Sequence, residues 1–126
     1  MMPNVMDEIA TILLPERVDS ATSGAVGAMI LAAIRPGARV IVNGSAVTWM
    51  SAAGVRVLAT AIHRARDQDT RIVLCSFSGP AADCLLVSGF SQLFDVAETV
   101  DDAKRRLADH PTQPAGDRLH LRRAAG

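Results

Sequence analysis

The chain has 126 residues, 49% of them apolar and 21% charged, which is one domain's worth of sequence with enough apolar material for a core and excludes wholesale disorder. Thirteen basic residues cancel thirteen acidic ones, so no net positive field exists to hold a nucleic-acid backbone or an anionic bilayer. Trp49, three Phe and no Tyr leave too few rings for a base-stacking platform.

In chain order, the apolar and β-branched residues 9–14 predict a first strong strand halted by Pro15, with a shorter strand around Val5. Asp19, Ser20 and Thr22 supply short side-chain oxygens that open a helix. Along it Ala21, Ala25, Val26, Met29, Ile30, Ala33 and Ile34 recur at helical spacing until Pro36-Gly37 closes it. The run 39–43 between Gly37 and Gly44 reads as a central parallel strand. Ser51 caps a second helix with Val55, Leu58, Ala59, Ile62 and Ala65 on its inner face and Arg56, His63, Arg64, Arg66 and Asp67 outside. Residues 71–76 form the next strand, and Gly79-Pro80 opens a third helix. Leu85, Leu86 and Val87 are its apolar residues and Gly89 its terminator. Residues 93–96 read as a last short strand, and Thr99 with Asp102 as an aspartate variant of the capping box for a fourth helix ending near Asp109. The remainder, 110–126, has Pro111, Pro114 and Gly116 and little periodicity, and is expected to be a flexible tail. Alternating elements of this kind give a single α/β domain over 1–109, with a mostly parallel four- to five-stranded sheet and about four helices.

Cys75 and Cys84 lie in apolar surroundings with no CxxC and no histidine cluster, so two reduced, buried thiols are expected rather than a zinc site or a disulfide scaffold. Residues 1–7 lack the basic-then-apolar order of a signal peptide. No apolar run approaches the roughly 20 residues that span a bilayer. The expected location is therefore cytoplasmic, with no membrane insertion and no direct contact with nucleic acid.

In such sheets the useful crevice lies beyond the carboxyl ends of the strands, at the starts of the following helices. The richest loop there is 43–54, where Ser45, Thr48 and Ser51 offer hydroxyls and the helix start offers unpaired N–H groups. The same residues also fit plain helix capping by Ser51 and turn-making by Asn43-Gly44. No GxGxxG, GxxxxGK[ST] or GxSxG motif is present. His63, His110 and His120 read as solvated surface groups, and Asp101 and Asp102 as acids of a helix first turn. No enzyme activity and no cofactor are expected.

Over about residues 9–109 the order of elements and several motifs resemble the STAS domain family, in particular the bacterial anti-sigma factor antagonists. The strongest stretch, Val47-Thr-Trp-Met-Ser-Ala-Ala-Gly-Val-Arg-Val-Leu58, matches a pattern of the type V-T-[FWY]-[IM]-[DS]-S-[SA]-G-L-x-V-L. Arg17-Val18-Asp19, Arg71-Ile-Val-Leu74, Ser78-Gly-Pro80 and Val87-Ser-Gly-Phe-Ser-Gln-Leu-Phe94 support it in the same order. The resemblance implies a partner-switch protein. It binds an anti-sigma factor that is also an ATP-dependent serine kinase, and phosphorylation at the start of the second helix breaks the complex by repulsion and desolvation.

This sequence departs from the pattern where the switch sits. Ser51 replaces the aspartate that commonly precedes the acceptor, and Ala52 and Ala53 occupy the two acceptor positions. A methyl group takes no phosphate, so the usual switch is expected to be missing, with Ser51 as the one substitute acceptor. Glu16 replaces a glycine often found before the first acidic residue, while Asp19 matches the family's acid near the acceptor. The expected contact patch is Asp19, Ser45, Thr48, Ser51, Ala52, Ala53, Gly54 and Arg56. Trp49 either packs into the core, the usual fate of a lone tryptophan, or lies at the rim. The expected partner is a serine-kinase anti-sigma factor, bound constitutively. A second copy of the chain is also a candidate partner, through an apolar strip on the second helix. The alternative roles are an accessory STAS subunit of an ABC transporter or a signalling scaffold, and nucleotide or small-ligand binding in the crevice.

Overall fold

The computed structural model describes residues 9–89 and 92–109. In chain order these form β1 (Ile9–Leu13), β2 (Arg17–Val18), α1 (Ser23–Ala33), β3 (Arg39–Asn43), β4 (Trp49–Met50), α2 (Ala52–Asp67), β5 (Arg71–Cys75), α3 (Gly79–Val87), β6 (Val96–Ala97) and α4 (Val100–Asp109). The strand expected around Val5 and the tail from 110 onward, with His110 and His120, lie outside the described residues.

The β-branched runs form the middle of a wholly parallel sheet in the order β1-β3-β5-β6. Alternation along a strand sends successive side chains to opposite faces. Val40 and Val42 with Ile72 and Leu74 meet α1, α2 and α3 on one face, whereas Ile41, Val73 and Cys75 meet Ala103 and Leu107 of α4 on the other. Burial on both faces is why these runs read as continuous apolar stretches rather than alternating ones. The α2 face predicted to be internal, Val55, Leu58, Ala59, Ile62 and Ala65, is buried, and Arg56, His63, Arg64, Arg66 and Asp67 are exposed. Thr70 is buried beside this layer with both its hydrogen-bonding capacities used. Its hydroxyl donates to the Arg35 carbonyl (2.6 Å) and accepts from the Arg35 N–H (3.0 Å), tying the end of α1 to the start of β5.

Several expectations are corrected. Helix α1 starts at Ser23 rather than at Asp19, because the Asp19 carboxylate accepts from the N–H groups of Ala21 (3.0 Å) and Thr22 (3.2 Å) and folds 19–22 into a turn. Of its apolar residues only Val26, Gly27 and Ile30 are buried, and Ala21, Ala25 and Met29 face outward. The last strand is Val96–Ala97, not 93–96. Phe94 is buried in the helical layer, and the β5 pairing begins only where the Leu74 N–H reaches the Asp95 carbonyl (2.8 Å). Strand β5 ends one residue early, with Ser76 in the left-handed region (φ 65°). Cys84 is half-buried rather than buried, and it packs on the helical face of the sheet while Cys75 belongs to the α4 face. The anticipated cap of α4 is present: the Asp102 N–H donates to Thr99 Oγ1 (3.0 Å).

The two-residue strands β2 and β4 were not anticipated. They pair in parallel as a separate ribbon, Arg17 opposite Trp49 and Val18 opposite Met50. A ladder of two residues carries no periodicity, so only long-range pairing reveals it.

Candidate functional site

The loop from β3 to α2 is assembled from short-range bonds and then clamped by the ribbon. Asn43 Oδ1 accepts from the Ser45 N–H (2.9 Å) and the Val47 N–H donates to the Gly44 carbonyl (3.0 Å), which turns the chain back over the strand ends. Gly44 passes so close to the Phe77 ring that a Cβ would lie 2.5 Å from it. The Glu16 carbonyl then accepts from the N–H groups of Thr48 (2.8 Å) and Trp49 (3.2 Å) and from the Thr48 hydroxyl (3.3 Å). The Ser51 N–H donates to the Val18 carbonyl (3.0 Å). Ser51 Oγ accepts from the Gly54 N–H (3.3 Å), the cap expected of it.

Gly54 lies directly against the main chain of Val18, which is buried. Arg17 pairs with Asp19 (3.3 Å), and its guanidinium stands 5.9 Å from the centre of the Trp49 ring. Trp49 is 46% exposed, which corrects core packing in favour of the rim: its neighbour Met50 takes the buried position, and the strand's alternation turns the indole outward. Around the first turn of α2 the surface continues onto α3. Leu86 and Val87 are 69% and 81% exposed there, so of the three apolar residues at the end of α3 only Leu85 is buried. A groove of about 270 Å³ runs between the two helices, lined by Ala52, Val55, Arg56, Cys84, Val87 and Ser88.

Among the described residues no group of three His, Cys, Asp or Glu side chains could hold a metal ion, and no helix is long and apolar enough to cross a membrane. A family model described as the STAS domain matches residues 2–103. The chain belongs to the STAS domain family. No curated protein matches the sequence. Among solved structures, an anti-sigma-factor antagonist (STAS) domain protein from Planctomyces limnophilus is similar with a TM-score of 0.69 at 18% identity, over 78% of this chain and 89% of that one. The anti-sigma factor antagonist SpoIIAA in its unphosphorylated form gives a TM-score of 0.63 at 20% identity, over 85% and 94%. The STAS domain of a SulP transporter from Vibrio cholerae gives 0.61 at 15% identity, over 82% and 81%. At these identities the likeness is one of fold, shared by antagonists and transporter domains.

Within this STAS domain the ribbon brings Asp19, Thr48 and residues 51–54 together, since Val18 lies opposite Met50. Ser45 is exposed on the Asn43 turn, and Arg56 belongs to the α2–α3 groove. Ala52 is exposed, Ser51 and Ala53 are half-buried and Gly54 is buried. Arg17 over Trp49, and the α3 wall with Leu86 and Val87, were missed from the sequence. A signal for the second existed. Four consecutive apolar residues, 84–87, cannot all face inward at 3.6 residues per turn.

Partial burial would raise the Asp19 carboxyl, but the Thr22 and Ala21 N–H groups and the Arg17 guanidinium outweigh it and hold its pKa below the ordinary 3.8. The carboxylate therefore contributes stability that is present above the unfolded value and is lost as pH falls through the lower folded value. Asp19→Asn is expected to be less stable than the native domain near neutral pH. Urea midpoints should show that gap narrowing as pH falls from about 4 toward 2; a gap independent of pH would remove the carboxylate from the account.

Proposed function

We propose that this STAS domain acts as an anti-sigma factor antagonist-like docking protein in the cytoplasm, regulating sigma factor availability without a phosphoserine switch and without catalysis of its own. Its partner is a serine-kinase anti-sigma factor. The contact patch is Asp19, Ser45, Thr48, Ser51, Ala52, Ala53, Gly54 and Arg56, widened by Arg17 and Trp49. The observation that carries this reading is the pair Ala52 and Ala53 at an accessible helix start, where the resemblance puts the phosphate acceptor. Loss of the acceptor with the surface retained corresponds to a permanently binding-competent form. Ser51, the neighbouring hydroxyl, caps the helix instead.

The test is to mix the purified chain with serine-kinase anti-sigma factors and ATP. A stable complex that takes up no phosphate is expected, with Ala52→Ser or Ala53→Ser creating an acceptor and making the complex ATP-sensitive. Phosphate on Ser51 of the native chain would overturn the permanence, and no association with any such factor would overturn the role. The likeness to transporter STAS domains favours a second reading, an accessory subunit, for which a transporter protein in place of the kinase would form the complex.

A further inference from the structure

The α2–α3 groove has a charge that no described residue balances. Arg56 is exposed on its wall and makes no ion pair or hydrogen bond among the described residues. Asp83, the one carboxylate of α3, does not reach it. Helix α2, sixteen residues long, also carries no acidic residue in its own first turn. The rest of the groove is apolar or weakly polar, and Leu86 and Val87 carry the apolar surface outward beyond it. Contiguous exposed apolar side chains at a charged rim are the marks of a protein contact.

Building on the docking role proposed above, we infer that this groove receives an acidic–apolar segment of the partner protein. A large aliphatic side chain seats among Val55, Cys84 and Val87, and a neighbouring Asp or Glu carboxylate pairs with the Arg56 guanidinium. A phosphorylated segment fits less well, because phosphate recognition draws on several cations. The other guanidinium of the proposed patch, Arg17, is already held by Asp19 and the Trp49 ring.

The experiment pans the full-length chain against a random peptide library displayed on phage, then titrates a synthetic peptide of the enriched consensus by fluorescence anisotropy. The expected consensus pairs Leu, Ile or Met with Asp or Glu, and its affinity falls as salt is raised. Arg56→Glu, checked for native circular dichroism, is expected to weaken that peptide about tenfold or more and, panned itself, to select Lys or Arg at the same position. A consensus without an acid, or an affinity that Arg56→Glu leaves unmoved, overturns the inference. If binding then depends on Trp49→Ala alone, the docking role stands while the acidic–apolar partner falls. If no peptide is selected, the inference falls, and the docking role is decided separately by whether the chain associates with a serine-kinase anti-sigma factor.

Discussion

Gly54→Ala is expected to cost about 3 kcal/mol or more and to lower Tm by about 10 °C or more, measured by circular dichroism. An alanine Cβ would collide with the Val18 carbonyl oxygen and lie 2.9 Å from its carbonyl carbon and Cγ1. The obstacle is main chain, held by the Ser51 N–H to Val18 carbonyl bond and by the β2–β4 pairing, so it cannot rotate aside as a side chain would. Either α2 retreats from the ribbon or the ribbon opens, and both undo the packing of Val18 and Val55. Gly44→Ala provides the contrast. There the obstacle is the half-buried Phe77 ring, at 2.5–2.6 Å, which can turn away, so the loss should be smaller. An unchanged Tm in Gly54→Ala would mean that α2 backs away from the ribbon at no cost.

Ala52→Glu separates binding from folding. The side chain at 52 is exposed in the first turn of α2, which lacks an acid, so a carboxylate there meets the positive helix end and should raise stability by roughly 0.5 kcal/mol. On the proposed docking surface the same charge must be stripped of water against a partner. Desolvation and like-charge contact cost several kcal/mol, and the affinity for the anti-sigma factor should fall at least about 30-fold, a factor equivalent to about 2 kcal/mol. Calorimetric titration beside a thermal melt reads both effects. Equal affinity for the native chain and for Ala52→Glu would take position 52 out of the interface.

What the sequence disclosed and what it withheld divide along a physical line. Strands β3 and β5 and the inner face of α2 were legible because each repeats one pattern long enough to declare it, continuous burial in the strands and 3.6-residue spacing in the helix. Ser51 as cap was legible from its residue type and place. The start of α1 was misplaced because Asp19 serves equally well in a turn before a helix and at its cap. Strand β6 was displaced because Leu93 and Phe94 are apolar for packing, not for pairing. The proposed patch around Ser51 comes from motif resemblance. Its partners across the chain, Arg17 on Trp49 and Leu86 beside the groove, depend on which neighbours the fold supplies, and local spacing holds no record of that.

The ribbon of β2 and β4 has a consequence for speed as well as for shape. Because the Glu16 and Val18 carbonyls already anchor Thr48, Trp49 and Ser51, an arriving molecule meets a turn whose backbone torsions are set before contact. Little conformational entropy remains to be surrendered at that step, which favours rigid recognition over coupled folding. Complex lifetimes should then follow how well the two surfaces match, rather than how often this loop happens to be ordered.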